Sequence, residues 1–275
     1  MNKNIEEIEF VIFDTETTGL DPEYGDRIVE IAAVRFRGDS KLAHFQALVN
    51  PGRPVSPAAF AVNRITSEML EGAPDMKTVI PGFLDFIKGS CLCSYNAGFD
   101  LDFLNNELKL AGMAPLEDIV VVDVLKMARR IMPGLERHAL WFVADALGIE
   151  AQQEHRAFAD VELTLSVFNR LKEALKEKGV SDFANFSNLF GINRNMLDDM
   201  NNQKIIKIQE AIDRGLKVKI RYLSSSGADV TEREVLPREV RQERGGGYLI
   251  GYCYLRQDER SFRIDGILEI QVNES

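Results

Sequence analysis

Phe10-Val11-Ile12-Phe13-Asp14-Thr15-Glu16-Thr17-Thr18-Gly19-Leu20 is the stretch from which the fold of this chain can be read. Its first four residues are apolar without alternation, the pattern of a central strand covered on both faces. The strand runs straight into two carboxylates. Side chains two apart on a strand point the same way, so Asp14 and Glu16 project together from its end. Carboxylates placed like this repel each other, and a divalent cation is the natural compensator. A strand end running into a polar turn accounts for the pair equally well.

Outward from this strand, Ile28–Phe36 and His44–Val49 read as two more strands, close enough for a meander. Asp75–Lys88 reads as a helix, Cys91–Tyr95 as a strand and Phe99–Ala111 as a helix stopped by Gly112. Ile119–Val122 reads as a short buried strand. Helices are predicted over Val124–Ile131, His138–Leu147 and Phe158–Lys178, with Trp141 as a core residue. Strands first, then strand–helix alternation, predict an α/β domain over residues 1–178, a mixed sheet flanked by helices. Residues 179–204 are rich in Asn, Asp and Ser and read as short helices or a linker. Lys204–Arg214 is amphipathic. Leu216–Leu223, Val230–Val240, Tyr248–Arg256 and Ser261–Val272 are strand-like runs split by Gly, Ser or Asp turns. They predict a small β-rich module over 205–275.

The 275 residues are 45% apolar and 28% charged, which suits packed cores and is too apolar for disorder. Net charge is −10, and it is uneven. Residues 205–275 hold 12 basic and 12 acidic side chains, whereas the first 204 hold 21 and 31. Such a chain does not coat nucleic acid through bulk electrostatics, although bound cations can supply positive charge locally. No run of 18 apolar residues exists, so no membrane helix is expected. The acidic, polar start is unlike a signal peptide. Cys91 and Cys93 share one apolar run, and three cysteines in all predict core thiols rather than a disulfide framework. A reducing cytoplasm is the expected location.

Two further carboxylates stand out. Asn96-Ala97-Gly98-Phe99-Asp100 opens a helix, where Asp100 can also be a simple N-terminal helix charge. Asp160 lies three residues before the apolar stripe Leu163, Val167, Leu171, and so on the buried face of its own helix. A buried carboxylate needs a partner or a metal. His155 precedes that helix in a polar stretch.

Taken in order, Asp14-x-Glu16, Asn96-x-x-Phe99-Asp100 and His155-x4-Asp160 resemble the three exonuclease motifs of the DEDDh family, the ribonuclease-H-like 3′→5′ exonucleases. The likeness is strongest to its epsilon-subunit branch, the proofreading subunits of bacterial DNA polymerase III. It covers residues 8–172 and implies a ribonuclease-H-like mixed sheet. It also implies that Asp14, Glu16, Asp100 and Asp160 hold two divalent cations, Mg²⁺ or Mn²⁺, about 4 Å apart, with His155 as general base. Nucleoside 5′-monophosphates would be released from single-stranded or frayed 3′ ends of nucleic acid. DNA is the expected substrate, with RNA or short oligonucleotides as the alternative. An inactive nucleic-acid sensor would have lost one of these five residues, and none is lost. The resemblance further implies contacts of Thr17, Leu20 and Phe103 with the terminal nucleotide; Leu20 and Phe103 read equally as core. Arg156 stands where the sister branch carries Tyr, and Asn63-Arg64 where many relatives carry His-Gly.

The C-terminal module resembles a WYL domain, a small SH3-like β fold, through Ile220-Arg221-Tyr222, Tyr248-Leu249-Ile250-Gly251-Tyr252 and Arg260-Ser261-Phe262-Arg263. That likeness implies a nucleic-acid or nucleotide-like ligand. Tyr248, Tyr252, Arg256, Arg260 and Arg263 would form a basic aromatic platform that stacks bases and contacts phosphates. Recruitment of another protein, or a merely solvated sheet face, are the other readings of the same residues. Gly247 and Gly266 replace the usual Trp and a usual late Arg.

Overall fold

The computed structural model describes residues 3–117, 119–150, 155–192, 194–224, 229–243 and 246–273. The first three strands, β1 (Glu9–Thr17), β2 (Ile28–Arg37) and β3 (Ser40–Leu48), form the expected antiparallel meander. Three helices follow, α1 (Pro57–Asn63), α2 (Ser67–Leu70) and α3 (Met76–Ile87). Then come β4 (Cys91–Ser94), α4 (Ala97–Leu110) and β5 (Val121–Asp123). Helices α5 (Val124–Ile131), α6 (Leu140–Ala146) and α7 (Ala157–Glu177) complete the alternation. The sheet order is β3-β2-β1-β4-β5, with β4 parallel to both β1 and β5. The mixed sheet read from the chain order is therefore present, and β1 is its central strand.

Two apolar layers cover β1. Phe10 and Ile12 point into a core shared with α5 and α7, whereas Val11 and Phe13 point into one shared with α3 and α4. This alternation decides where the following residues go. Asp14 and Glu16 continue the row of Phe10 and Ile12, toward α7; Thr15 continues the row of Val11 and Phe13, toward α4.

The segment read as short helices or a linker holds α8 (Phe183–Phe190), whose Phe186, Leu189 and Phe190 lie in the α7-side core. The Phe186 ring sits 6.0 Å from both Phe10 and Phe168. Just after α8, Ile192 N–H donates to the Val121 carbonyl at 3.0 Å, so the chain also ties into the free edge of β5. Phe186→Ala is expected to destabilise this domain by about 3–5 kcal/mol. The check is a fall in its urea midpoint; a fall of under about 1 kcal/mol would mean that α8 is only loosely attached.

Helix α9 (Arg194–Asp213) leads into a second sheet of β6 (Val218–Leu223), β7 (Val230–Glu243), β8 (Gly246–Cys253), β9 (Asp258–Arg263) and β10 (Ile267–Val272). All its pairings are antiparallel, in the order β10-β6-β7-β8-β9. Ile208 and Ala211 of α9 pack on its core beside Val218, Ile220 and Val235. The run Ser261–Val272, read as one strand, is two, because a 3₁₀ turn over Ile264–Gly266 breaks it. A Cβ on Gly266 would lie 2.7 Å from the Leu223 carbonyl oxygen and 2.8 Å from the Tyr222 ring. Only glycine allows that approach. The neighbouring Asp265 pairs with Arg263 at 2.6 Å and with Arg130 of α5 at 3.6 Å, which joins the two domains. Among the described residues, no helix is long and apolar enough to cross a membrane.

Trp141 departs from its expected core position. Helix α6 buries Val143 and Ala144, and Trp141, on the other side of the helix, is 40% exposed.

Candidate active site

At the end of β1 the pairing with β2 slips between Glu16 and Thr17, and the strand leaves the sheet. Here Asp14, Glu16 and Asp160 converge, each with a carboxylate oxygen within 4.8 Å of the others. Strand parity and helix α7 explain this: two acids project from the α7 face of β1, and the third comes from the first turn of α7 itself. Asp100 is buried at the start of α4, on the other face. Its Oδ1 accepts from Thr15 N–H at 2.9 Å and from Thr15 Oγ1 at 2.7 Å; its Oδ2 accepts from Ser94 Oγ at 2.5 Å. The carboxyl is thereby held against β1 beside Asp14, which feels its charge.

Burial raises the carboxyls of Asp14, Glu16 and Asp100, and repulsion from neighbouring acids adds to it at Asp14 and Glu16. Glu16 is pushed up to about 8, first by burial, then by Asp160 and Glu30, with an Asn63 hydrogen bond opposing. Asp14 is raised well above the usual carboxylate range by burial and by Asp100, Asp160, Glu16 and Glu30. Asp100 is raised to about 6 by burial, against the hydrogen bonds from Ser94 and Thr15. A cluster of oxygen donors strained in this way fits a hard divalent cation, which would offset the repulsion at Asp14 and Glu16.

His155 stands directly before α7 with φ 47°, a left-handed conformation uncommon for a residue with a Cβ. Backbone strain of this kind persists only where the surroundings hold it, and it concentrates at functional sites. Of the three expected nucleotide contacts, Leu20 is 83% exposed and available, and Thr17 is buried with its Oγ1 donating to the Gly19 carbonyl. Phe103 is 1% exposed and lies in the α4-side core against Phe99, 4.9 Å away, so its core reading is the one seen.

Glu30, which the sequence reading passed over, also shapes the site, as do Asn63 and Arg156, which it named without a role. Asn63 Nδ2 donates to the Thr17 carbonyl at 3.2 Å, tying α1 to the end of β1. Glu30, the cross-strand partner of Glu16, is wholly buried and paired with Arg156. One signal was legible: Glu30 is the lone charge in the apolar run Ile28-Val29-Glu30-Ile31-Ala32-Ala33-Val34.

In the second domain, Tyr248 and Tyr252 share one face of β8, and Arg263, opposite Tyr248 on β9, shares it too. The Arg263 guanidinium lies 5.9 Å from the Tyr248 ring centre and grips Asp265. Arg260 falls on the opposite face, opposite Gly251, and its guanidinium lies 3.5 Å from Asp258. Arg256 sits in the exposed turn between the two strands. The five residues therefore do not form one platform.

Residues 11–168 match the exonuclease family, RNase_T. The chain belongs to this exonuclease family. Residues 203–272 match the WYL domain. The exonuclease part is similar to the DNA polymerase III subunit epsilon of Treponema pallidum, 40% identical over 168 residues, covering 60% of this chain and 77% of that relative. It is also similar to the PolC-type DNA polymerase III of Oceanobacillus iheyensis, 33% identical over 251 residues and 91% of this chain. The chain spans only 17% of the length of that relative. Among solved structures, a zinc-bound E. coli exonuclease I complex with single-stranded DNA shares the fold, with TM-score 0.59 and 18% identity. That match covers 89% of this chain and 54% of the other.

Proposed function

We propose that this chain is a metal-dependent 3′→5′ exonuclease that removes nucleoside 5′-monophosphates one at a time from single-stranded or frayed DNA ends. The observation that carries the reading is the convergence of Asp14, Glu16 and Asp160 beside the buried Asp100. Support for DNA comes from relatives that are DNA polymerase III subunits and from a fold neighbour that holds single-stranded DNA.

A pair of Mg²⁺ or Mn²⁺ ions on these carboxylates would supply charge neutralisation of the phosphoryl group and lower the pKa of water. Asp14, Glu16 and Asp160 are the ligands that the geometry offers; Asp100 completes the set once it turns from Thr15 or shares its oxygens. His155 accepts the proton of the attacking water at a ring nitrogen. A new P–O bond forms to that water, and the 3′ oxygen of the preceding nucleotide leaves and gains a proton. Thr17 and Leu20 flank the terminal nucleotide. In the WYL domain the reading keeps Tyr248, Tyr252 and Arg263 as a ligand face, for nucleic acid or a nucleotide, and leaves Arg260 outside it.

The test uses 5′-labelled single-stranded DNA and the matching RNA with Mn²⁺, Mg²⁺ or EDTA. A DNA ladder that shortens from the 3′ end and vanishes with EDTA is expected. His155→Ala is expected to slow it by about 10²–10⁴-fold, with Mn²⁺ still raising the melting temperature as in the wild type. Cleavage in EDTA would sink the metal reading. An unchanged rate in His155→Ala would remove His155 as the base, and faster RNA cleavage would reassign the substrate.

A further inference from the structure

Glu30 is 0% exposed in a strand of Ile, Val and Ala, where an uncompensated carboxylate would cost several kcal/mol. It is fully compensated. Arg156 donates Nε to Oε2 at 3.0 Å and Nη2 to Oε1 at 2.8 Å, a two-pronged pairing. Gln46 Nε2 donates to Oε1 at 3.0 Å, and the Ala157 backbone N–H donates to Oε2 at 3.2 Å. Burial is the largest single influence on the Glu30 carboxyl and raises it, but Arg156, Gln46 and the Ala157 N–H together outweigh it and hold the carboxyl below its usual range.

Four features meet at one point. Ala157 is the first residue of α7, and the preceding Arg156 makes no side-chain cap to the helix. Glu30 therefore caps α7 from across the sheet, placing a negative charge at the helix N-terminus, where it is favoured. Asp160 N–H donates to the Arg156 carbonyl at 3.0 Å, so the backbone that Glu30 clamps also starts the turn bearing Asp160. His155 is the next residue upstream and holds its left-handed backbone there. Finally, Glu30 stands beside Glu16 across the strands, and its oxygens are occupied by arginine, amide and backbone donors.

We propose that Glu30 and Arg156 are a pair of positioning residues that act through His155, fixing it at the start of α7 beside the carboxylate cluster. This rests on the exonuclease reading above. Neither residue acts on the substrate. Their contribution is to hold the imidazole in register, and misplacement by about 1 Å costs on the order of 10²-fold in rate.

The test is a double-mutant cycle on the full chain with single-stranded DNA and Mn²⁺. Glu30→Gln and Arg156→Lys are each expected to lower kcat by about 10- to 100-fold, the range for supporting residues, with KM changed less than about threefold. In a His155→Ala background neither substitution is expected to slow the reaction further, because groups acting as a unit are not additive. Effects that multiply in that background would overturn the proposal, as would wild-type kcat in both variants. A second readout does not need turnover. The chain has three histidines, His44, His138 and His155. Glu30→Gln, distant from His155 in sequence, is expected to shift the His155 ring resonances in NMR spectra and leave those of His138 in place; His44, whose ring packs on Phe158 of the same turn, is not a control. An unmoved His155 signal would overturn the positioning role even if the protein cut nothing. A shifted signal in a protein that cleaves no strand would sustain the geometry and overturn its assignment to exonuclease catalysis.

Discussion

Asp14→Ala is expected to lower the rate of 3′ shortening by more than about 10³-fold, the upper end for removal of a single transition-state donor. The larger effect follows from position. Asp14 lies between two groups that reach it from opposite faces of β1: Glu16 and Asp160 on the α7 side, and Asp100 on the α4 side. It is the carboxylate whose charge is felt with all of them. Loss of Asp14 therefore weakens cation binding at the whole cluster, and the stabilisation of phosphoryl charge is lost with the cation. The same substitution removes a carboxyl that burial and its neighbours force to stay protonated in the fold, so at neutral pH the metal-free protein is expected to melt higher, not lower, than the wild type. Single-turnover gels and thermal melts in EDTA check both halves. A rate within about tenfold of wild type would show that the cations are held without Asp14. A lost rate with a lower melting temperature would mean simple unfolding. Asp14→Asn keeps the side-chain volume and separates charge from packing.

Much of this arrangement could be read from the chain. The unbroken apolar run Phe10–Phe13 marked the central strand, and period-two geometry put Asp14 and Glu16 on one side of it. The stripe of α7 led back to Asp160 by a single helical step. These inferences needed only local periodicity. Asp100 needed more, since its partners are Thr15 and Ser94, and Thr15 is brought to it only by the parallel pairing of β1 with β4. Glu30 and Arg156 are 126 residues apart, and no local pattern joins them. Helix α8 was half legible: Phe186, Leu189 and Phe190 are spaced for one helical face, but the Asn- and Ser-rich stretch around them reads as short helices or a linker until the packing on Phe10 and Phe168 is known. In the second domain the failure was one of register. Arg260 and Arg263 are three apart on a strand and so face opposite sides. A list of basic residues on a β-rich segment does not make a surface until the pairing is known.

Without divalent cations, the protein is expected to lose stability as pH rises from about 4.5 toward about 8, and Mn²⁺ is expected to restore more of it at the higher pH. The carboxyl of Glu16 ionises at about 8 in the folded chain against an ordinary 4.5, and that of Asp100 at about 6 against 3.8; Asp14 is raised as well. Between the unfolded and folded values, the folded state binds more protons than the unfolded one. The stability these groups contribute is complete below the unfolded values and is lost as pH climbs through the folded ones. Glu30 runs the other way: its lowered value contributes stability above pH 4.5 that is lost only on acidification, so it does not offset the loss in this window. The loss is read directly as a fall in the melting temperature of the metal-free protein between the two ends of this window. A divalent cation takes the place of those protons, so its binding releases protons and tightens with pH. Thermal melts at pH 5.5 and 8, each in EDTA and in excess Mn²⁺, measure the effect. The Mn²⁺-induced rise should be larger at pH 8, and Asp14→Asn should reduce it. An equal rise at both pH values would mean that the carboxylates are already ionised in the metal-free fold, and that the repulsion among Asp14, Glu16 and Asp160 is relieved by something other than the cation.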